Sequence, residues 1–114
     1  MAASNATMIA TGRSGNVYSL EVYVPDAIAT QCTMNPAGLA TATSAVNWRV
    51  PEDVVITDIS ILAAPTAVGA TFTQDGAAKN GATIRWNNML ESLSNRVKIG
   101  VSVPKGSFVG LLQF

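Results

Sequence analysis

The chain has 114 residues, of which 48% are hydrophobic and only 12% are charged, and its seven basic and seven acidic residues give a formal net charge of zero. This length fits one domain and excludes two independent cores. Typical soluble domains carry about 25% charged residues, so the deficit favours either a membrane protein or a protein covered by partners. No segment approaches the roughly 18–20 consecutive apolar residues of a membrane-spanning helix, so we expect no membrane association and favour assembly with other proteins.

The residue types that most enzymes and metal sites need are scarce. There is no histidine and a single cysteine, which excludes the common catalytic triads, Cys–His dyads and zinc sites, and also an intramolecular disulfide. The seven carboxylates show no spacing typical of a glycosidase pair or a calcium loop. The basic residues form no stripe that would bind phosphates. We therefore expect a non-enzymatic protein with no catalytic residues, no cofactor, no metal and no nucleic-acid partner.

The N-terminal residues are small and polar, with Gly12 beside Arg13. They predict an extended arm over residues 1–16, with at most one short strand around Met8 and Ile9. The first residues lack a basic start followed by an apolar block, so we expect no signal peptide.

Period-two alternation of apolar and polar residues over 18–24 predicts the first clear strand. The most apolar strand is predicted at 54–62, where both faces carry apolar residues, which is typical of a central strand or an interface. Asp58 interrupts it. Because an unpaired buried charge is costly, we expect Asp58 to lie on the less buried face and to meet Arg49, Arg85 or a basic group of a partner.

Turn residues separate the strands and set the fold class. The signals are Glu52 and Asp53 after Pro51, which we expect to be solvated, the tight-turn pairs Asp75-Gly76 and Asn80-Gly81, and Pro104-Lys105-Gly106. One short helix is predicted near 88–94. About eight short strands then predict an all-β domain over residues 17–114, a jelly roll or jelly-roll-like β-sandwich. An immunoglobulin-like sandwich is the alternative.

The last strand carries the clearest functional signal because both of its faces are apolar. Phe108, Leu112 and Phe114 alternate with Val109 and Leu111, and large exposed apolar patches mark interaction sites. We expect this strand and the N-terminal arm to contact partners. The candidate assembly contacts are Met8, Ile9, Arg13, Val109, Leu111, Leu112 and Phe114.

The tryptophans raise a second possibility, a surface that binds sugars. Trp48 and Trp86 both occupy core-type positions in the alternation, which favours packing in the core. An exposed Trp86 beside Asn87 and Asn88 would instead form a glycan platform. Near-total burial of Trp86 would exclude that platform.

Two segments combine strands with proline-containing turns, residues 48–59 (WRVPEDVVITDI) and 99–107 (IGVSVPKGS). Through them, residues 45–114 resemble the small jelly-roll decoration (cement) proteins of tailed bacteriophage capsids. The resemblance implies a non-enzymatic, homotrimeric subunit that is made in the host cytoplasm, lies on the capsid surface of the virion and binds the assembled major capsid protein. The alternatives are a receptor- or glycan-binding jelly-roll module of a phage fibre or spike, or another minor virion subunit.

Overall fold

The computed structural model describes residues 4–35, 47–61, 65–86 and 96–114. This part of the chain forms nine strands: β1 Ser4–Gly12, β2 Val17–Val24, β3 Thr33–Asn35, β4 Trp48–Arg49, β5 Val54–Ile61, β6 Gly69–Gln74, β7 Ala77–Arg85, β8 Arg96–Val103 and β9 Phe108–Gln113. They form two antiparallel sheets, ordered β3-β2-β1-β5-β8 and β4-β9-β6-β7. The predicted all-β sandwich is confirmed. The short helix predicted near 88–94 lies outside the described residues.

The connections follow the jelly-roll pattern from β4 onward. The β6–β7 hairpin stays within one sheet, whereas the other connections between β4 and β9 cross to the opposite sheet. The strands β2 and β1 occupy the places that the first and last strands take in a jelly roll. The N-terminal hairpin therefore supplies two neighbouring strands of the five-stranded sheet.

Alternating side chains place one face of each sheet in the core. Leu20 and Ile56 come from the five-stranded sheet, Phe72 and Leu111 come from the four-stranded sheet, and all four are at most 1% exposed. Full burial of such a side chain contributes about 1.5–3 kcal/mol, so the space between the sheets is the main source of stability. Cys32 is buried in the same core, and this burial raises the pKa of its thiol to about 12.

The position of strand β1 contradicts two predictions, the N-terminal arm over residues 1–16 and the domain boundary at residue 17. The strand pairs with β2 on one side and with β5 on the other, so it is the central strand of its sheet. Ala6, Met8 and Ala10 lie in the core with exposures of 1%, 0% and 0%. The positions between them include the apolar Ile9, and alanine gives little hydrophobic contrast with the neighbouring threonines. A hydrophobicity pattern therefore underestimates this strand.

The second predicted tight turn, at Asn80-Gly81, is instead a bulge inside β7. The pairing register with β6 shifts here, so residues 79–82 lie opposite Phe72 alone. Gly81 has a φ of +74°, a conformation that glycine adopts without steric cost. The other predicted turn, Asp75-Gly76, does join β6 to β7.

Asp58 lies on the less buried face of β5, as predicted, but it does not meet the predicted arginines. It is half-buried and accepts a hydrogen bond from Thr57 Oγ1 at 3.2 Å. Its cross-strand partner is Lys98. Arg49 and Arg85 belong to the other sheet, and the sandwich places the outer faces of the two sheets on opposite sides of the molecule.

Candidate functional site

The outer face of the four-stranded sheet is apolar along β9 and just beyond its end. Phe108, Leu112 and Phe114 are 44%, 38% and 41% exposed. Val68, which is 47% exposed, lies beside them because its amide N–H donates to the carbonyl oxygen of Phe114 at 3.0 Å. These four residues, Val68, Phe108, Leu112 and Phe114, are called the β9 face below.

An arginine lies over each aromatic ring of the β9 face. The guanidinium carbon of Arg49 is 5.9 Å from the centroid of the Phe108 ring, and that of Arg85 is 5.9 Å from the centroid of the Phe114 ring. Exposed cation–π contacts contribute about 0.5–1 kcal/mol each. Within the described residues, neither arginine forms an ion pair with a carboxylate. The β9 face therefore combines apolar surface with two cations that are free to meet acidic groups.

The backbone of β9 is hydrogen-bonded on both sides. Strand β6 pairs along one side, and β4 pairs with the beginning of the other side. The segment 29–32 continues that second side: Cys32 N–H donates to the carbonyl oxygen of Leu111 at 2.8 Å, and Gln113 N–H donates to that of Thr30 at 3.0 Å. A partner can therefore reach the side chains of the β9 face but cannot add a strand to β9.

A second feature lies at one end of the sandwich, where Glu52 ties two connections together. Its carboxylate accepts hydrogen bonds from Ser14 N–H at 2.8 Å, from Ser14 Oγ at 2.9 Å and from Asn16 Nδ2 at 3.2 Å. The Tyr18 hydroxyl also donates to it. These donors, Tyr18 foremost and then Ser14, lower the pKa of Glu52 to about 2. The same bond to Glu52 raises the pKa of Tyr18.

Asp53 joins a third connection to the other two. The Arg13 Nη1 atom lies 3.6 Å from Asp53 Oδ2, and Arg13 N–H donates to the Asp53 carbonyl oxygen at 2.8 Å. Asp53 Oδ1 accepts the N–H of Lys105 at 2.8 Å. The residue pair that sequence inspection predicted as a solvated turn thus holds the β1–β2, β4–β5 and β8–β9 connections in a fixed arrangement.

An open groove of about 690 Å³ lies against these connections, on the outer face of the five-stranded sheet. Its floor contains Thr11, Val55 and Ser102, which are successive cross-strand neighbours on β1, β5 and β8. Val55 is 40% exposed. The residues that line this groove are Thr11, Gly12, Arg13, Asp53, Val54, Val55, Thr57, Ser102, Val103 and Pro104.

The predicted assembly contacts are distributed over the core, the side of the five-stranded sheet and the β9 face. Met8, Val109 and Leu111 are 0% exposed and are corrected to core residues, because the inner face of each strand packs between the sheets. Ile9 is half-buried on the outer face of the five-stranded sheet, and Arg13 is exposed beside the groove.

Two of the predicted contacts, Leu112 and Phe114, share the β9 face. Their neighbours on this surface include Val68, Arg49 and Arg85, which were not among the predicted contacts. Only the register of β9 with the strands beside it would have revealed these contacts. Phe108 belongs to the same surface, and its alternation with Leu112 was a signal available in the sequence.

Trp86 cannot form the predicted glycan platform, because it is 0% exposed. Its Nε1–H donates to Gln113 Oε1 at 3.0 Å, and Gln113 Nε2 donates in turn to the carbonyl oxygen of Pro25 at 2.8 Å. This buried chain of hydrogen bonds ties together three parts of the sandwich. Asn87 and Asn88 lie outside the described residues.

Within residues 4–35, 47–61, 65–86 and 96–114, no group of three or more Cys, Asp or Glu side chains is placed to hold a metal ion. In the same part of the chain, no helix has the length and apolar character needed to cross a membrane. Comparison with family models, with curated proteins and with solved structures finds no match to this chain.

Proposed function

We propose that this protein is a non-enzymatic decoration (cement) subunit of a virion, which binds the assembled shell of the major capsid protein through the β9 face. The observation that carries the proposal is the exposure of two phenylalanines and a leucine on one strand face, each ring accompanied by an arginine. Exposed apolar patches mark interaction sites. Aromatic residues and arginine are enriched at protein interfaces and dominate their binding energy.

The size of the β9 face indicates how such a subunit binds. Burial of its four half-exposed side chains would supply about 3–6 kcal/mol. Association costs about 4–15 kcal/mol in lost translational and rotational freedom, so one face alone makes a weak complex. A homotrimer on the capsid surface would present three faces to a repeating lattice, and multivalency would then raise the affinity. Binding to the shell and not to free coat subunits stabilises the shell by mass action.

The second candidate function is a receptor- or glycan-binding module of a phage fibre or spike. The binding site that was predicted for this function, an exposed Trp86, is absent because Trp86 is buried. It would need another site, and the groove between the Arg13–Asp53 pair and Ser102 is one candidate.

The test compares two double variants for binding to capsid shells of the encoding virus prepared without this subunit. Phe108→Ser/Leu112→Ser removes apolar surface from the β9 face. The matched control, Val17→Ser/Ile28→Ser, removes side chains that are 66% and 62% exposed elsewhere. We expect the wild type and the control to co-sediment with shells and the β9-face variant to remain in the supernatant.

Light scattering on the same proteins measures the oligomeric state, and circular dichroism checks that each variant is folded. We expect a trimer for the wild type. A folded β9-face variant that binds shells as well as the control does would refute the proposal. A wild-type protein with no affinity for shells would refute it as well.

A further inference from the structure

The groove on the five-stranded sheet is lined mainly by apolar surface, and two neutral hydroxyl groups lie on its floor beside Val55. Thr11 and Ser102 flank Val55 across three adjacent strands. Within the described part of the chain, neither hydroxyl hydrogen-bonds to another protein group. A hydroxyl is both a donor and an acceptor, so the floor can meet either kind of group on a ligand.

The spacing of these hydroxyls suits a small ring. Neighbouring strands lie about 4.8 Å apart, which places Thr11 and Ser102 roughly 10 Å from each other across β5. That distance is close to the width of a pyranose ring together with a hydrogen bond at each side. Val55 lies between them and offers an apolar contact for the C–H face of such a ring.

The rim of the groove supplies one donor group and one acceptor group of opposite charge. The Arg13 guanidinium offers several N–H donors, and the Asp53 carboxylate beside it at 3.6 Å offers acceptors. The pair has no net charge. An anionic ligand would meet the carboxylate and a cationic one would meet the guanidinium, so the rim favours a neutral ligand that both donates and accepts hydrogen bonds.

The groove is also held in shape before any ligand arrives. The hydrogen bonds of Glu52 and Asp53 fix the three connections that form its end, and its floor is paired β-sheet. Thr57 contributes a further wall, and its hydroxyl shares its one proton between Asp58 Oδ2 at 3.2 Å and the carbonyl oxygen of Ile9 at 3.3 Å. A site that needs no ordering loses less free energy on binding, and its volume falls within the range of small-ligand sites.

From these features we propose that the groove is a binding site for a neutral saccharide, with the sugar ring over Val55 and its hydroxyl groups directed to Thr11, Ser102 and the Arg13–Asp53 pair. This site is separate from the β9 face and lies on the other sheet, so it can be occupied while the β9 face holds a partner.

The experiment is an NMR titration of the whole ¹⁵N-labelled chain with neutral disaccharides, namely maltose, cellobiose, lactose and chitobiose. Galacturonic acid and glucosamine serve as charged counterparts. We expect at least one neutral sugar to shift the amide signals of Thr11, Val55 and Ser102 in a saturable manner at millimolar concentrations. We expect the charged sugars to bind more weakly.

Thr11→Val/Ser102→Ala removes two hydroxyls that have no protein partner, so the fold should be retained. We expect it to weaken sugar binding about tenfold, the effect of losing two hydrogen bonds. Ser19→Ala, an exposed position on β2 outside the groove, is the matched control and should bind like the wild type. The proposal is overturned if no neutral sugar shifts these signals, if the shifts map to the β9 face, or if the double variant binds as tightly as Ser19→Ala.

Discussion

The two faces of β9 differ in a way that residue type alone does not explain. The outer face carries Phe108, Leu112 and Phe114, each about two-fifths exposed, whereas the inner face includes Gln113, which is 1% exposed. The glutamine is buried because both ends of its amide are hydrogen-bonded, which offsets the cost of removing them from water. The apolar residues on the outer face remain in contact with water. Burial of a polar side chain within this fold therefore depends on the hydrogen-bond partners available there, and an apolar side chain can remain exposed on the opposite face of the same strand.

Two neighbouring leucines give the sharpest test of this contrast. Leu111 is 0% exposed and Leu112 is 38% exposed. Replacing either leucine by alanine removes the same atoms, so a difference in effect reports the difference in burial. We expect Leu111→Ala to lower the free energy of unfolding by about 2–5 kcal/mol, because it leaves a cavity in the core. Leu112→Ala should lower it by less than about 1 kcal/mol. Urea unfolding followed by tryptophan fluorescence measures both, and equal losses would contradict the assignment of the two faces.

The next largest expected effect on the free energy of unfolding concerns the buried side-chain amide of Gln113. Gln113→Leu keeps similar volume but leaves Trp86 Nε1–H and the Pro25 carbonyl oxygen without their partner. A buried polar group left unsatisfied costs about 1–3 kcal/mol, and the half-buried Pro25 carbonyl costs less than the buried Trp86 N–H, so we expect a total loss of about 2–4 kcal/mol in the same unfolding experiment. Leu112→Gln, which places an amide on the exposed face of the same strand, is the control and should change stability little. A neutral or stabilising effect of Gln113→Leu would show that the hydrogen bonds do not hold the glutamine inside.

The smallest expected effect concerns the Glu52 connections and depends on pH. Folding lowers the pKa of Glu52 from 4.5 to about 2, so its contribution is complete above about pH 4.5 and is lost as pH falls through about 2. Glu52→Gln replaces one acceptor oxygen by an NH₂ group that faces donors. We expect its melting temperature to lie below that of the wild type at neutral pH and the difference to shrink as pH approaches 2.

Glu21→Gln is the control for the Glu52 experiment, because Glu21 accepts a single hydrogen bond, from Thr7 Oγ1 at 3.2 Å. Its melting temperature should follow that of the wild type at every pH. A gap between Glu52→Gln and the wild type that stays constant from neutral pH to pH 2 would mean that the charge on Glu52 does not tie the connections together.

The period-two patterns predicted most of the strands, because large apolar side chains mark their buried faces. The strands at 18–24 and 54–62 appear in the structure as β2 and β5 with nearly the same bounds. Strand β1 was predicted only as a short strand around Met8 and Ile9, because alanines fill two of its core positions. Such a pattern reports hydrophobic contrast, and the central position of β1 depends instead on its pairing with two other strands.

The candidate surfaces were less predictable, because they depend on contacts between residues far apart in the sequence. Arg49 lies beside Phe108 only through the pairing of β4 with β9. Glu52 meets Ser14 and Tyr18 only because two connections converge at one end of the sandwich. Nothing in the local sequence around these residues states which partners they meet.

The interruption of β7 has a consequence for how the protein behaves at high concentration. Among the described strands, the edges of the four-stranded sheet are β4, which has two residues, and β7, where residues 79–82 bulge away from the ladder. A short or bulged edge cannot template the addition of an incoming strand. Since a chain without net charge has little electrostatic repulsion to keep copies apart, we expect this blunting to hinder edge-to-edge aggregation through the four-stranded sheet.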